Sequence, residues 1–213
     1  ARLRAAIGVS SSAQILLVLP GSRPSEIERV LPAFEDAVRR LKAERPELEI
    51  VVPAAYTVAE AVKARIAGWP FRAHVIEDER LKDDAFVAAD VALACSGTVT
   101  TELALAGRPM VVGYKTAPLT YAILKRLMKP RWVTLFNIAA DREIAPELLQ
   151  DACEGGGLAR EVSRLLDDPA LRAAQSAAQN AALDKMGRGM PDPSTAAADA
   201  LVDFLEARGQ AAA

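Results

Sequence analysis

The run Ile15-Leu16-Leu17-Val18-Leu19 is apolar at every position. An unbroken apolar run that short reads as a strand buried on both faces, the kind found inside a parallel sheet. Pro20-Gly21 ends it, and the periodicity changes at once. Ile27, Val30, Leu31, Phe34, Val38 and Leu41 fall on one helical stripe, behind Ser25 and Glu28 at capping-box spacing. The alternation then repeats. Strands are expected at 50–52, 74–76, 91–94 and 110–113. Helices are expected after Thr57 and Glu60, around 83–89, and from Ser96-Gly97-Thr98 through Ala106. Strands alternating with helices require crossover connections, which build a parallel sheet covered on both faces. The expected fold is therefore α/β, a Rossmann-like doubly wound domain.

Beyond Leu119 the pattern becomes mostly helical, with helices expected at 119–128, 146–151, 157–167, 169–185 and 194–207, the last a C-terminal helical extension. Residues 1–14 read as a linker, with no helix start and no strand of their own. Residues 15–186 form the main domain, 187–208 the terminal helix, and 209–213 an alanine-rich disordered tail. No apolar run approaches the roughly 18 residues that span a bilayer. A net charge of −2 gives no broad basic field, which argues against a nucleic-acid partner. Two cysteines, Cys95 and Cys153, are too few for a disulfide framework or a zinc site and suit a reducing, cytoplasmic setting.

Open parallel sheets bind ligands at the carboxyl ends of their strands. Two such junctions have the composition of phosphate sites. At Leu19-Pro20-Gly21-Ser22-Arg23, Gly21 permits close backbone approach, Ser22 offers a hydroxyl and Arg23 a guanidinium fork. The same tripeptide is also a common turn. At Ser96-Gly97-Thr98 a helix N-terminus presents unpaired N–H groups and its dipole to an anion. Glu102, a turn further in, is placed to accept ribose hydroxyls. The alternative there is a capped helix with a favourable early carboxylate. No G-x-G-x-x-G fingerprint or P-loop lysine is present. A third cluster offers Asn137, Arg142 and Gln150, amides flanking a guanidinium as a sugar diphosphate would need. Pro146-Glu147 also reads as an ordinary helix start.

Taken in order, LPGSR-x-SEIERVLPAF, ACSGTVTTELALAGRPMVVGYK and LFNIAADREIAPELLQ closely resemble the lipid-A-disaccharide synthases, over nearly all of this chain but only the C-terminal half of that family. Two departures stand out: Phe136 where the family pattern has proline, and Thr101 in place of an apolar residue. The resemblance implies the donor-binding domain of a two-domain GT-B glycosyltransferase. Such an enzyme transfers 2,3-diacylglucosamine from UDP-2,3-diacylglucosamine to 2,3-diacylglucosamine 1-phosphate, releasing UDP. It assigns donor binding to Gly21, Ser22, Arg23, Ser96, Gly97, Thr98, Glu102, Asn137, Arg142 and Gln150. It implies no cofactor and no metal, and places the general base on an N-terminal domain beyond this chain, so the half alone is expected to be inactive. His74, the sole histidine, reads as structural. Homo-oligomers are expected if the terminal helix lacks its partner domain. Lys115, Lys125, Arg126, Lys129 and Arg131 interleave with apolar residues. They suit either peripheral contact at the inner face of the membrane or a solvated basic face on a packed helix.

Overall fold

The computed structural model describes residues 2–117, 121, 131–190 and 193–211. Six parallel strands form one sheet in the order β3-β2-β1-β4-β5-β6. They are β1 (Ile15–Leu19), β2 (Glu49–Pro53), β3 (His74–Ile76), β4 (Val91–Cys95), β5 (Met110–Tyr114) and β6 (Glu147–Leu149). The central pairing joins β1 to β4, with Leu17 opposite Ala92 and Leu19 opposite Ala94. Every side chain of β1 and β4 is buried, as strands between two helical layers must be.

One face carries α2 (Pro24–Glu44), α3 (Ala59–Ile66) and α7 (Gly155–Asp167). Leu16 and Val18 turn to this side and meet Phe34, Val38, Val62 and Val162. The other face carries α1 (Arg2–Ile7), α4 (Glu79–Ala88), α5 (Thr98–Leu105), α6 (Leu135–Ala140) and α8 (Pro169–Lys185). Ile15, Leu17 and Leu19 turn to it and meet Leu3, Phe86, Leu103, Phe136 and Leu183. Alternation along one strand thus feeds two cores. Each fully buried Leu or Ile contributes about 1.5–3 kcal/mol, so these layers dominate the stability. The doubly wound α/β fold expected from the alternating pattern is the one found.

Several boundaries differ from expectation. The opening segment is not a bare linker: α1 buries Leu3 completely. Arg4 holds the following turn by donating to the carbonyls of Ser10 (2.8 Å) and Ala13 (2.7 Å). Helix α2 begins at Pro24 with Arg23 as its N-cap, so the reciprocal acid is Glu26 and not Glu28. Thr57 does not open α3; its hydroxyl donates to the Ser22 carbonyl at 3.0 Å. Where a helix was expected at 146–151, β6 and a single 3-10 turn (Gln150–Ala152) stand instead. The terminal helix, α9 (Pro193–Ala211), extends through part of the tail expected to be disordered. Of the basic amphipathic segment, Leu119, Leu124, Lys125, Arg126, Met128 and Lys129 lie outside the described residues. Among the described residues no helix is long and apolar enough to cross a membrane.

Helix α2 packs closely on both the sheet and α7. A Cβ on Gly113 would stand 2.6 Å from the Phe34 ring, and one on Gly155 only 2.0 Å from the Asp36 carboxylate. Gly113→Ala is therefore expected to destabilise the domain by about 1–3 kcal/mol through overpacking, measured by urea denaturation. Adding Phe34→Leu should recover part of that loss. A neutral Gly113→Ala would show that α2 can move away freely.

Candidate functional site

The order of strands creates the site. β1 and β4 are neighbours, yet α2 leaves β1 toward one face and α5 leaves β4 toward the other. Their loops part at the carboxyl edge and open a crevice at this switch point. A cleft of about 330 Å³ lies there. Gly21, Ser22 and Arg23 line one wall, and Ser96, Gly97, Thr98 and Glu102 the other. The two junctions singled out in the sequence thus share one cavity.

The first wall is a loop closed on itself. Gly21 adopts φ +118°, and a Cβ there would stand 2.5 Å from a Glu26 carboxylate oxygen. Glycine is needed here because it reaches positive φ without strain and leaves room for that carboxylate. The backbone N–H groups of Ser22 (2.9 Å) and Arg23 (3.3 Å) both donate to Glu26 Oε2. The Arg23 guanidinium donates to Oε1 at 2.9 Å. Glu26 is buried, with its side chain 10% exposed, while that of Arg23 remains 76% exposed. The guanidinium is oriented from below and open above.

The second wall is a helix start without a cap. Gly97 is the N-cap of α5, and among the described residues no side chain caps that helix. A Cβ on Gly97 would meet nothing within 4 Å, so packing within the protein leaves this position open. Unpaired N–H groups with the dipole behind them hold an anion well. Glu102 is exposed a turn inside, and Lys82 of α4 approaches it at 3.8 Å. A guanidinium, a helix N-terminus and an acceptor carboxylate around one cavity can hold an anion joined to a hydroxylated group.

Three expected site residues do not line this cleft. Asn137 is fully buried in α6. Its amide donates to Ala145 O (2.9 Å) and Glu147 Oε1 (2.8 Å), and its oxygen accepts from the N–H groups of Ile144 (2.8 Å) and Ala145 (3.1 Å). Every useful direction of the side chain is taken by the protein. Arg142 lies in the segment leading into β6, at the amino edge of the sheet. There it lines a separate surface depression with Glu161 and Arg164. As a strand parallel to β5, Glu147–Leu149 sends the residues that precede it to the amino edge. Gln150 does stand at the carboxyl edge, beyond β5. With its amide nitrogen turned to the Thr116 carbonyl (3.3 Å), its oxygen accepts from the Thr116 N–H (3.1 Å).

Sequence reasoning missed Glu26 and Lys82 as parts of the site. Glu26 carries a signal, an acid three positions after an N-cap. Lys82 carries none, because only tertiary packing brings α4 to Glu102. Among the described residues no group of His, Cys, Asp or Glu side chains is arranged to hold a metal ion. Cys95 ends β4 at the floor of the cleft, where burial, with smaller repulsion from Glu26, pushes its thiol up to about 12. Negligible thiolate therefore forms near neutrality. At about pH 8.5, iodoacetamide is expected to leave Cys95 unmodified in the folded chain and to alkylate it after unfolding, read by peptide mapping. Equal labelling in both states would contradict this burial.

A family model described as lipid-A-disaccharide synthetase matches residues 1–198. The lipid-A-disaccharide synthase of Paramagnetospirillum magneticum is 42% identical over 207 residues, covering 96% of this chain and 53% of the relative. That of Anaeromyxobacter dehalogenans is 43% identical over 179 residues, covering 82% and 46%. The chain spans about half the length of the curated relatives it matches. Among solved structures, a spinosyn rhamnosyltransferase complexed with thymidine diphosphate has a TM-score of 0.58 at 18% identity, covering 92% of this chain and 45% of that one. An Escherichia coli ADP-heptose LPS heptosyltransferase II gives 0.55 at 12% identity, covering 78% and 50%. These two likenesses are of fold, and the fold is that of GT-B glycosyltransferases. The sequence relatives carry the identity: the chain belongs to the lipid-A-disaccharide synthase family.

Proposed function

We propose that this chain is the donor-binding half of a lipid-A-disaccharide synthase and holds UDP-2,3-diacylglucosamine for transfer to 2,3-diacylglucosamine 1-phosphate. The observation that carries this reading is the uncapped N-terminus of α5 facing Arg23 across one cleft, with Glu102 a turn inside. In this arrangement Glu102 accepts hydrogen bonds from the ribose, and the N–H groups after Gly97 hold the pyrophosphate. As the acceptor hydroxyl attacks C1 of the sugar, the C1–O bond to the diphosphate breaks and negative charge grows on the leaving group. The α5 dipole and the Arg23 guanidinium are fixed before that charge appears, which is the condition for electrostatic stabilisation of a departing anion. The base that takes the acceptor proton is assigned to the part of the enzyme outside this chain.

UDP at about 100 times its Kd is expected to raise the melting temperature of this chain by roughly 5–10 °C. Arg23→Ala and Glu102→Ala should each remove most of that shift while leaving the unliganded melt cooperative. Full protection in the double variant would place the nucleotide elsewhere. Because Asn137 and Arg142 lie outside the cleft, Arg142→Ala should leave the UDP shift unchanged.

A further inference from the structure

Two helices begin at the cleft, and their N-termini are treated differently. That of α5 has no side-chain cap. At that of α2, the Glu26 carboxylate of the first turn reaches back and accepts from the Ser22 and Arg23 N–H groups, just ahead of the helix, and from the Arg23 guanidinium. This carboxylate occupies two backbone N–H donors in the wall of the cleft. Gly21, at φ +118°, is shaped to admit it, and it also lines the cavity. The wall carrying Arg23 therefore presents a cation with a fixed anion directly beneath it.

We infer that Glu26 is a specificity-determining and positioning residue, which limits the cleft to a diphosphate linked to a neutral, hydroxylated group and excludes nucleoside triphosphates. The inference rests on the donor-binding reading above. With the ribose at Glu102 and the pyrophosphate at the start of α5, the chain of phosphates runs toward Arg23 and meets Glu26 beyond the second phosphorus. A sugar at that point offers hydroxyl donors, and a carboxylate retains acceptor capacity for them. A third phosphate offers only acceptors and further negative charge, which a carboxylate of low exposure repels. The arginine alone would favour the triphosphate; the acid behind it reverses that preference.

The test is calorimetric titration of the wild-type chain, Glu26→Gln and Glu26→Asp with UDP and with UTP, in EDTA so that the nucleotides carry their full charge. The wild-type chain is expected to bind UDP at least about tenfold more tightly than UTP, the effect of one poorly screened charge. Glu26→Gln keeps the shape and removes the charge, and should close most of that gap. Glu26→Asp keeps the charge on a shorter stem. It should weaken UDP by releasing Arg23, yet preserve the discrimination. An unchanged gap in the glutamine variant, or no gap in the wild type, would overturn the inference. If the glutamine variant lacks a cooperative melt, the aspartate variant decides: discrimination lost with the charge retained also overturns it. Failure of the wild-type chain to bind UDP at all would overturn the donor-binding reading, and this inference with it.

Discussion

The parallel pairing of β1 with β4 is the constraint on which the rest depends. It joins a strand from the first part of the chain to one that comes after two further strands. Because the strand order turns outward in both directions from this pair, the helices that follow must depart to opposite faces. The gap between their starts is a geometric consequence, and no residue has to be set aside to hold it open. Each loop then needs only short-range chemistry: a glycine at positive φ on one side, and an uncapped helix start on the other.

The central architecture was legible because burial on both faces leaves an unmistakable trace. A strand such as Ile15–Leu19 has no polar position to blur its reading, and α2 presents its stripe over a full length of 21 residues. The two loops were legible for a related reason: their side chains and glycines serve local geometry, so their composition alone carries meaning. What failed was β6. Glu147-Leu148-Leu149 is only three residues long and half-buried throughout, so it shows neither an apolar run nor clear alternation, and Pro146 mimics a helix start.

Asn137 shows a different limit. An amide can serve a ligand or the chain itself, and sequence does not distinguish the two. Here it joins a network in which the Glu147 carboxylate also accepts from the N–H groups of Val133 (2.8 Å) and Thr134 (2.9 Å) and from the Thr134 hydroxyl (2.6 Å). Buried polar groups that satisfy one another in this way rigidify a loop. The cluster ties the start of α6 to β6, and it leaves Asn137 outside the lining of the cleft.

The close seating of α2 has a consequence for how a nucleotide would be received. With the Phe34 ring lodged over Gly113 and Asp36 against Gly155, that helix is packed closely on both the sheet and α7. Its leading end carries the glycine loop clamped by Glu26. A nucleotide entering the cleft therefore meets, on this side, a wall whose supporting helix is already seated on the sheet.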